Sequence, residues 1–376
     1  MKIAIHAADL DHDRIDGTRV YLFNMLKNFG KLDKEDSFLI YHRSFFNRRM
    51  VPPAFSNYFV KKLYFPMLWT QTRFALELFC NTPDVLWMPV HNMPLFRRKK
   101  MKVVVTIHDL AFKIFPGYFT KRDLTKLNRL SDMAIKNANR IIAVSHSTKN
   151  DILKFYPEIS EEKISVVHHG FDSELFQKDF PAIESEALLK SYNLKAKSYL
   201  LYVGAIQPRK NLEILVEAFE KIKEKSASQR MDLRLVIAGA PAWKSNDILK
   251  KISASKFNSD IIVTGTIGFE KISMLCRNAK MFVFPSLYEG FGIPVLEAMA
   301  SGIPVICAKN SSLSEAGGEA ALYFETGNSQ NLADCMNRII EDAELEKDLI
   351  RRGLEHVKNF SWEKCARETL EILTKW

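Results

Sequence analysis

The stretch Phe284-Pro-Ser-Leu-Tyr-Glu-Gly-Phe-Gly-Ile-Pro-Val-Leu-Glu297 follows an apolar strand and leads into a helix. Gly290 and Gly292 let the backbone approach a ligand where a side chain would block it. Pro294 is well placed as the first residue of a helix. Backbone N–H groups at such a helix N-terminus favour a phosphate. The stretch therefore predicts an anion site at the carboxyl end of a strand in an α/β domain.

Two glutamates lie within the same stretch, eight residues apart. We expect Glu297 in the first turn of the helix, where a carboxylate also complements the helix dipole. Taken alone, Glu289 reads equally well as a solvated loop residue. The stretch needs a second signal before either glutamate is assigned a role.

Short apolar, β-branched runs alternate with amphipathic segments along the whole chain, a pattern typical of parallel sheets covered by helices. The predicted strands are Lys2–His6, Phe38–Tyr41, Val85–Met88, Lys102–Thr106, Arg140–Val144, Ile164–Val167, Tyr199–Val203, Arg234–Ala238, Ile261–Thr264, Met281–Phe284 and Val305–Ala308. The predicted helices include Tyr21–Phe29, Leu124–Asn137, Ser147–Phe155, Leu212–Lys225, Phe269–Asn278 and Pro294–Ala300. We predict two doubly wound, Rossmann-like α/β domains with parallel sheets that face each other across a cleft.

The length of 376 residues suits two domains of ordinary size. We place an N-terminal domain at 1–180, a linker at 181–198 and a C-terminal domain at 199–360. The segment around the linker is polar, contains Pro181 and lacks a strand pattern. A last helix, within 361–376, is expected to pack back on the N-terminal domain.

The second signal is Gly204-Ala-Ile-Gln-Pro-Arg-Lys-Asn211, which follows the strand Tyr199–Val203. An arginine offers a two-pronged donor and a lysine a mobile point charge, so Arg209 and Lys210 suit a diphosphate leaving group. Exposed Arg-Lys pairs are common and usually carry no function. The position at a strand end, in the same half of the chain as the glutamate loop, favours the functional interpretation.

Together the two segments resemble glycosyltransferase family 4, whose C-terminal domain has a Gly-x5-Lys-Asn segment followed by a Glu-x7-Glu block. The resemblance implies a retaining enzyme of the GT-B fold that uses a nucleotide-sugar donor. It implies that Arg209 and Lys210 bind the donor diphosphate. It places Glu289 against the donor sugar and Glu297 on the ribose hydroxyls.

The N-terminal half also carries motifs of this family. The resemblance implies that His108 faces the donor sugar and that the loop with Gly17 approaches the phosphates, although Arg19 stands where a second glycine often occurs. Asp109 is a candidate for contact with the acceptor hydroxyl. The candidate catalytic residues are His108, Arg209, Lys210 and Glu289, and the candidate donor-binding residues are Gly17, Arg19, Gly204, Gly265, Ile267, Gly290, Phe291, Gly292, Ile293 and Glu297.

The sequences of two blocks, Val144-Ser-His-Ser and Gln207-Pro-Arg-Lys-Asn, look most like those of bacterial mannosyltransferases. GDP-mannose is therefore the first expected donor, with a UDP-sugar as the alternative. The expected acceptor is a glycan or lipid-linked saccharide in surface polysaccharide synthesis. Two other classes stay open: a GT-B nucleotide-sugar epimerase, and a two-domain sugar-binding protein without catalysis.

The net charge of +10 is concentrated in the N-terminal half of the chain. Residues 41–102 contain 11 basic, 2 acidic and 13 aromatic residues. Basic residues interleaved with aromatics suit an anionic membrane surface. Nucleic acid is the rival partner for a basic patch, but no nucleic-acid module is legible, so we expect none. We expect a cytoplasmic protein, peripheral on the inner face of the plasma membrane, with buried free thiols.

Metal binding is not expected from the sequence. Asp9-Leu-Asp-His-Asp13 starts like a calcium loop, but Arg14 replaces the turn glycine and Val20 the final glutamate. GT-B enzymes resemble one another in using basic side chains and helix ends instead. Histidines such as His6 are interpreted as hydrogen-bonded core or surface residues.

Overall fold

A computed structural model of the chain describes residues 1–13, 15–225 and 232–376. The chain forms two compact units: unit 1 combines Met1–Gly170 with Phe360–Trp376, and unit 2 is Phe171–Asn359. Each unit contains one parallel sheet. The predicted fold class of two doubly wound α/β domains is confirmed.

Unit 1 is built on seven strands in the spatial order β3-β2-β1-β4-β5-β6-β7. The strands are β1 (Lys2–His6), β2 (Ser37–His42), β3 (Tyr58–Lys62), β4 (Val85–Met88), β5 (Lys102–Ile107), β6 (Arg140–Ala143) and β7 (Ile164–Val166). The helices are α1 (Gly17–Leu32), α2 (Arg73–Cys80), α3 (Ala111–Ile114), α4 (Lys121–Asn137) and α5 (His146–Phe155). The chain moves outward from β1 in one direction and returns on the other side at β4. The topological switch point of this sheet therefore lies between β1 and β4, where open α/β sheets bind ligands.

Unit 2 has six strands in the order β10-β9-β8-β11-β12-β13. The strands are β8 (Tyr199–Val203), β9 (Arg234–Ala238), β10 (Ile261–Val263), β11 (Met281–Phe284), β12 (Val305–Ala308) and β13 (Leu322–Phe324). The helices are α6 (Ser173–Phe176), α7 (Ala182–Ser191), α8 (Leu212–Lys225), α9 (Asn246–Ala254), α10 (Phe269–Asn278), α11 (Ile293–Ala300), α12 (Leu313–Gly317), α13 (Ser329–Glu341) and α14 (Ala343–His356). By the same reasoning its switch point lies between β8 and β11.

The apolar pattern of the strands explains why they form the cores. Strands β4, β8, β11 and β12 are buried along their full length, as expected for central strands of a parallel sheet covered on both faces. Four cysteines are buried and Cys80 is exposed, and all five are free thiols. Among the described residues, no helix is both long and apolar enough to cross a membrane.

The chain returns to unit 1 through helix α15 (Trp362–Thr374), which packs against α1. Ser361 caps its N-terminus by accepting a hydrogen bond from the Lys364 N–H at 3.1 Å. Arg140 Nη1 donates to the Ile372 carbonyl at 3.0 Å. A Cβ at Gly170 would lie 2.1 Å from the Trp362 nitrogen, so only glycine allows the two segments to approach this closely.

The observed boundaries differ from the expected ones in the middle of the chain. The division falls at Gly170, ten residues before the expected end of the N-terminal domain, and α7 occupies most of the segment 181–198 that was expected to be a linker. Half of the ten α7 residues are apolar, but of these only Leu188 and Leu189 are buried. Two buried leucines were too weak a pattern to indicate a helix.

Two strands were not predicted. Strand β3 lies at the edge of its sheet, and four of its five residues are exposed, so it lacks the buried alternation that identifies a strand. Strand β13 has three residues, of which one is buried. Both are edge strands, whose sequences depend least on the core.

Candidate functional site

The two motif segments of the C-terminal half meet at the switch point of unit 2. Gly204–Asn211 follows β8, and the segment from Pro285 to Gly292 follows the neighbouring strand β11. A backbone hydrogen bond joins them, from the Leu287 N–H to the Arg209 carbonyl at 2.9 Å. The parallel sheet therefore brings together two loops that are almost eighty residues apart in the sequence.

The cations are presented by a tight turn. Pro208–Lys210 forms one turn of 3-10 helix, and Asn211 ends it in the left-handed conformation at φ 55°. Asparagine tolerates that conformation better than most residues. The Asn211 Nδ2 atom is buried without a hydrogen-bond partner among the described residues. The turn thus fixes Arg209 and Lys210 at the carboxyl end of β8 and leaves an amide donor beside them.

Glu289 holds both cations. Lys210 Nζ lies 2.5 Å from Glu289 Oε1, and Arg209 Nη1 lies 3.2 Å from Glu289 Oε2. Arg209 Nη1 also donates to the Tyr288 carbonyl. Between 11% and 18% of each charged side chain is exposed. One carboxylate therefore stands against two positive charges, and the cluster has a net positive charge.

The electrostatics of this cluster show in the pKa of Glu289. Burial alone would raise it, but the charges of Lys210 and Arg209 and the hydrogen bond from Lys210 lower it to about 2. The carboxylate is therefore ionised at any physiological pH. A diphosphate brought to this turn would meet cations already oriented by an internal anion.

The loop that follows Glu289 opens into helix α11. Gly292 is its N-cap, at φ 117°, and no side chain caps the first turn. A Cβ at Gly292 would lie 3.0 Å from Leu313 Cδ2, so both its conformation and its surroundings require glycine. Pro294 has no N–H and the Val295 N–H donates to the Gly292 carbonyl at 2.9 Å, so at the start of α11 the Ile293 N–H is the group that suits an anion.

Helix α11 begins one residue earlier than predicted, at Ile293 with Pro294 second. Glu297 is consequently the fifth helical residue and lies in the second turn, so its predicted place in the first turn is wrong. The reason is that Gly292, not Ile293, adopts the non-helical cap conformation. Complementing the helix dipole is correspondingly a poor explanation for Glu297, because that effect fades within the first turn.

Glu297 differs from Glu289 in having no ionic partner. Its side chain is partly buried, and among the described residues none donates a hydrogen bond to its carboxyl group. Burial, with repulsion from Asp172, raises its pKa to about 8. A carboxyl kept in this state suits hydroxyl groups of a ligand better than a phosphate.

Three residues that the sequence analysis missed support the glutamate loop from the next strand. Asn310, Ser311 and Ser312 follow β12. Ser312 Oγ donates to the carbonyls of Glu289 and Phe291 at 2.8 Å each, and the Glu289 N–H donates to Ser311 Oγ at 3.1 Å. The signal that was available is their place at the end of the strand beside β11.

The remaining candidates of unit 2 lie at the same edge of the sheet. Gly204 has φ 149° and Gly265 φ 68°, and Ile267 lies partly buried two residues after Gly265. Gly239, which the sequence analysis did not single out, follows β9, and a Cβ there would lie 1.9 Å from the Gly204 carbonyl. Close backbone approach at the ends of β8 and β9 therefore depends on this glycine.

In unit 1, His108 follows β5. Its Nε2 lies 2.8 Å from the Pro89 carbonyl oxygen, and its ring meets Tyr21 edge to face with centroids 4.9 Å apart. Burial lowers the His108 pKa below its usual value. The neighbouring Asp109 accepts a hydrogen bond from the Ala111 N–H at 3.0 Å and so orders the start of α3.

Gly17 and Arg19 lie in the first turn of α1. In the part of the chain that the structure describes, no atom lies within 4 Å of the position of a Cβ at Gly17, so these residues do not require glycine there. Arg19 Nη1 pairs with Asp16, and Arg19 Nε donates to the Asp9 carbonyl at 3.0 Å. Arg19, a candidate donor-binding residue, is therefore already ion-paired.

One interpretation from the sequence is wrong. His6 was interpreted as a hydrogen-bonded core or surface residue, yet its buried Nδ1 has no partner among the described residues. Its other nitrogen lies 3.3 Å from Thr70 Oγ1. The sequence gives no sign of this, because the one partner atom of the His6 ring, Thr70 Oγ1, belongs to a segment more than sixty residues away.

Comparison with known proteins agrees with this geometry. Residues 15–175 match the sequence model described as Glycosyltransferase Family 4, and residues 184–356 match the one described as Glycosyl transferases group 1. The Escherichia coli O-antigen chain mannosyltransferase B is 28% identical over 72% of this chain and 69% of its own length. The E. coli serotype-specific mannosyltransferase WbdA is 27% identical over 77% of this chain, which spans about a third (34%) of that protein.

The fold comparison covers the whole chain. The crystal structure of Anabaena HepE in complex with UDP and glucose superposes with a TM-score of 0.76 at 17% identity, and all of both chains is covered. At that identity the likeness concerns the fold alone. The likeness gives the chain the two-domain GT-B fold, and the two sequence matches identify it as a member of glycosyltransferase family 4.

Proposed function

We propose that this glycosyltransferase moves a hexosyl group, first of all mannosyl, from a nucleoside-diphosphate sugar to a glycan or lipid-linked saccharide of a surface polysaccharide. The observation that carries the proposal is the cluster of Arg209 and Lys210 around Glu289 at the switch point of unit 2. The names of the relatives, which are O-antigen and serotype-specific mannosyltransferases, support mannose and the polysaccharide.

The donor binds along the carboxyl edge of the unit 2 sheet. Its diphosphate takes the charges of Arg209 and Lys210 and the Ile293 N–H at the start of α11, an arrangement that binds anions in many proteins. The carboxyl group of Glu297, to which no described residue donates a hydrogen bond, accepts hydrogen bonds from the ribose hydroxyls. Glu289 lies next to the diphosphate site and contacts the sugar.

Catalysis is mainly electrostatic. The bond between the anomeric carbon and the diphosphate oxygen breaks, and the acceptor hydroxyl oxygen forms the new bond on the same face. The proton of that hydroxyl passes to the departing diphosphate, and the negative charge that develops there is stabilised by Arg209 and Lys210. Fixed charges of this kind act without reorganisation at the moment of reaction.

The test is a panel of donors with released nucleoside diphosphate as the readout, followed by NMR of the product. We expect slow release from GDP-mannose, faster release when an oligosaccharide acceptor is added, and retention at the anomeric carbon. Release from a UDP-sugar only would keep the class and change the donor. Conversion of the donor to an epimer, without release, would favour the epimerase. Binding of sugars with neither reaction would favour the non-catalytic alternative.

Contact with an anionic membrane is part of the proposal, and it rests on an exposed apolar surface in unit 1. The surface comprises Phe45, Phe59, Tyr64, Met67 and Leu68, with exposed fractions between 53% and 77%. We call these five residues the apolar edge. They belong to β3 and to the segments that follow β2 and β3, which are neighbours in the sheet.

Cations surround this apolar edge. Lys62 Nζ lies 4.0 Å from the centre of the Phe45 ring, Arg43 Nη2 donates to the Pro66 carbonyl at 3.3 Å, and Arg48 and Arg49 are exposed. Aromatic and aliphatic side chains flanked by lysine and arginine bind anionic lipid surfaces. Such a surface would hold the enzyme where a lipid-linked acceptor lies.

Vesicle co-sedimentation tests this contact. The intact protein is expected to sediment with phosphatidylcholine vesicles containing phosphatidylglycerol, less so at high salt, and not with phosphatidylcholine alone. Serine at both Phe45 and Leu68 should abolish sedimentation. Ile183→Ser is the matched control, since Ile183 is an apolar residue of unit 2 with 81% exposure. Equal sedimentation of all three proteins would contradict membrane contact through this surface.

A further inference from the structure

The glutamate loop of unit 2, residues 285–292, is held from two sides. On the side of β8, Arg209 Nη1 donates to the Tyr288 carbonyl, and the Leu287 N–H donates to the Arg209 carbonyl at 2.9 Å. The cations of the same turn hold the carboxylate of Glu289. These contacts fix the loop before Glu289 and fix its side chain, but the main chain of Glu289 is held by a different segment.

That segment follows β12, which is the neighbour of β11 on the other side. We call its residues Asn310, Ser311 and Ser312 the supporting segment. The Glu289 N–H donates to Ser311 Oγ at 3.1 Å, and Ser312 Oγ donates to the carbonyls of Glu289 and Phe291 at 2.8 Å each. Two adjacent hydroxyl groups therefore hold the main chain of Glu289 at both its N–H and its carbonyl.

The hydrogen bonds of the supporting segment are internally complete. Asn310 Nδ2 donates to the Ser286 carbonyl and to Thr326 Oγ1, at 2.9 Å each. Ser311 Oγ donates to Asn310 Oδ1 at 3.0 Å, while it accepts from the glutamate loop. A polar network in which every donor has an acceptor is rigid and holds one arrangement. The supporting segment can therefore fix the loop and does not merely touch it.

Both serines adopt arrangements that are unfavourable locally. Ser312 is the N-cap of α12 and is fully buried. A serine at this position usually accepts a hydrogen bond from its own helix, but here none is made among the described residues, and the hydroxyl group donates to the glutamate loop. Ser311 has φ 42°, which residues other than glycine seldom adopt. Such backbone persists where its surroundings impose it, and it is concentrated at functional sites.

We propose that Ser311 and Ser312 are positioning residues for the transfer step, because they fix the main chain of Glu289 so that its carboxylate meets the donor sugar. The inference rests on the proposed function and adds two residues to its site. A displacement of about 1 Å near the reacting atoms can cost on the order of a hundredfold in rate. The attraction between a diphosphate and the cations Arg209 and Lys210 falls much less over that distance. Loss of the hydroxyl groups should therefore slow transfer more than it weakens nucleotide binding.

The experiment compares Ser312→Ala and Ser311→Gly with the wild type. Glycine adopts the left-handed conformation without strain, so Ser311→Gly removes a hydroxyl group and keeps the backbone conformation accessible. Each variant is expected to lower turnover about fivefold at saturating GDP-mannose, or at the UDP-sugar that the wild type uses. The dissociation constants of GDP and UDP should stay within about threefold. Ser314→Ala is the matched control, since Ser314 is exposed in α12, and it should match the wild type in both measurements.

A double-mutant cycle separates positioning from a structural role. Serines that act through Glu289 have little left to position once its carboxylate is gone, so Ser312→Ala should lower turnover less than about twofold in a protein that already carries Glu289→Gln. Hydrogen–deuterium exchange of residues 286–291 measures the cause directly. It is expected to be about fivefold faster in Ser312→Ala and in Ser311→Gly than in the wild type, because main-chain groups of the loop lose their partners.

Four results would overturn the inference and leave the proposed function in place, provided that the wild type releases nucleoside diphosphate from a donor. They are unchanged turnover in both serine variants, unchanged exchange of the loop, nucleotide binding weakened as much as turnover, and equal losses with and without Glu289→Gln. Failure of the proposed function would look different. No release from any donor of the panel by the wild type would overturn that function, and this inference with it.

Discussion

The switch points of the two units have the same topology and opposite electrostatic character. In unit 2 two cations surround Glu289, and each of these charged groups has a partner. At the switch point of unit 1 Arg19 is paired with Asp16, and Asp9 Oδ2 has no hydrogen-bond partner among the described residues. The parallel sheet sets where a ligand can bind, while the loop residues set the charge of that place.

The difference also concerns what the protein has prepared in advance. The cations of unit 2 are held in place by an internal carboxylate before any donor arrives. At the switch point of unit 1, His6 Nδ1 and Asp9 Oδ2 have no hydrogen-bond partner among the described residues, so a ligand that bonds to them replaces no existing hydrogen bond. Substitutions that remove charged groups from the two switch points should therefore differ in how much they affect transfer, binding and stability.

The largest effect is expected when a cation of unit 2 is removed. Arg209→Ala and Lys210→Ala should each lower the transfer rate at saturating donor about a hundredfold, because charge developing on the leaving diphosphate loses a fixed partner. The measurement is released nucleoside diphosphate per enzyme. Arg351→Ala is the control, since 73% of the Arg351 side chain is exposed in the same unit. Full turnover in either variant would remove the basis of the proposed function.

Glu289→Gln should have a smaller effect, and it should strengthen nucleotide binding while it slows transfer. Without its carboxylate the two cations attract a diphosphate more strongly, so GDP or UDP is expected to bind about tenfold more tightly while transfer falls about tenfold. The unliganded variant should unfold about 3 kcal/mol more easily, because two partly buried cations lose their partner, and nucleotide should restore part of this.

The control for this change is Glu341→Gln, in which a largely exposed glutamate of unit 2 is altered in the same way. Thermal unfolding with and without nucleotide measures both expectations. Weaker nucleotide binding in Glu289→Gln would mean that the carboxylate orients the cations more than it competes for them.

In unit 2, Glu297 most resembles Asp9, because no described residue donates a hydrogen bond to its carboxyl group. Changing Glu297 is expected to have the smallest of the three effects. Its pKa of about 8 exceeds the ordinary value of 4.5, so between these pH values the folded state binds a proton that the unfolded state has released. Wild-type stability should therefore fall as pH rises through this window. Glu297→Gln should remove this dependence and be the more stable of the two proteins at pH 8.

Urea unfolding of both proteins between pH 5 and pH 8 makes the comparison, and the difference between them isolates the one carboxyl. Glu289 works in the opposite direction, since its lowered pKa contributes stability above pH 4.5 that is lost as pH falls through about 2. Parallel stability curves for wild type and Glu297→Gln would contradict the raised pKa.

Most of the fold could be predicted because strands such as Tyr199–Val203 and Met281–Phe284 are continuously apolar and end at glycine or proline. The charged cluster could be predicted for a related reason: Arg209 and Glu289 follow strands, and the carboxyl ends of neighbouring parallel strands meet at one edge. Strand β3 could not, since an exposed edge strand need not alternate apolar and polar residues.

The unpartnered polar atoms at the switch point of unit 1 could not be predicted from the sequence. His6 and Asp9 are ordinary residue types at ordinary positions, and only the folded chain shows that His6 Nδ1 and Asp9 Oδ2 have no hydrogen-bond partner. The supporting serines after β12 follow the strand beside β11, but their hydrogen bonds to the glutamate loop join segments more than twenty residues apart. Hydrogen bonds between distant segments, or their absence, leave no local signature in the sequence.

Because α15 returns to unit 1, that unit is assembled from both ends of the described chain and unit 2 is inserted within it. During synthesis on the ribosome, unit 2 is complete as soon as Asn359 has emerged. Unit 1 lacks its partner for α1 until α15 follows, with Trp362 buried at its start. The half of the enzyme that is translated first is therefore the half that finishes folding last, and a nascent chain stalled before residue 360 would carry a complete donor-binding unit but an open core in unit 1.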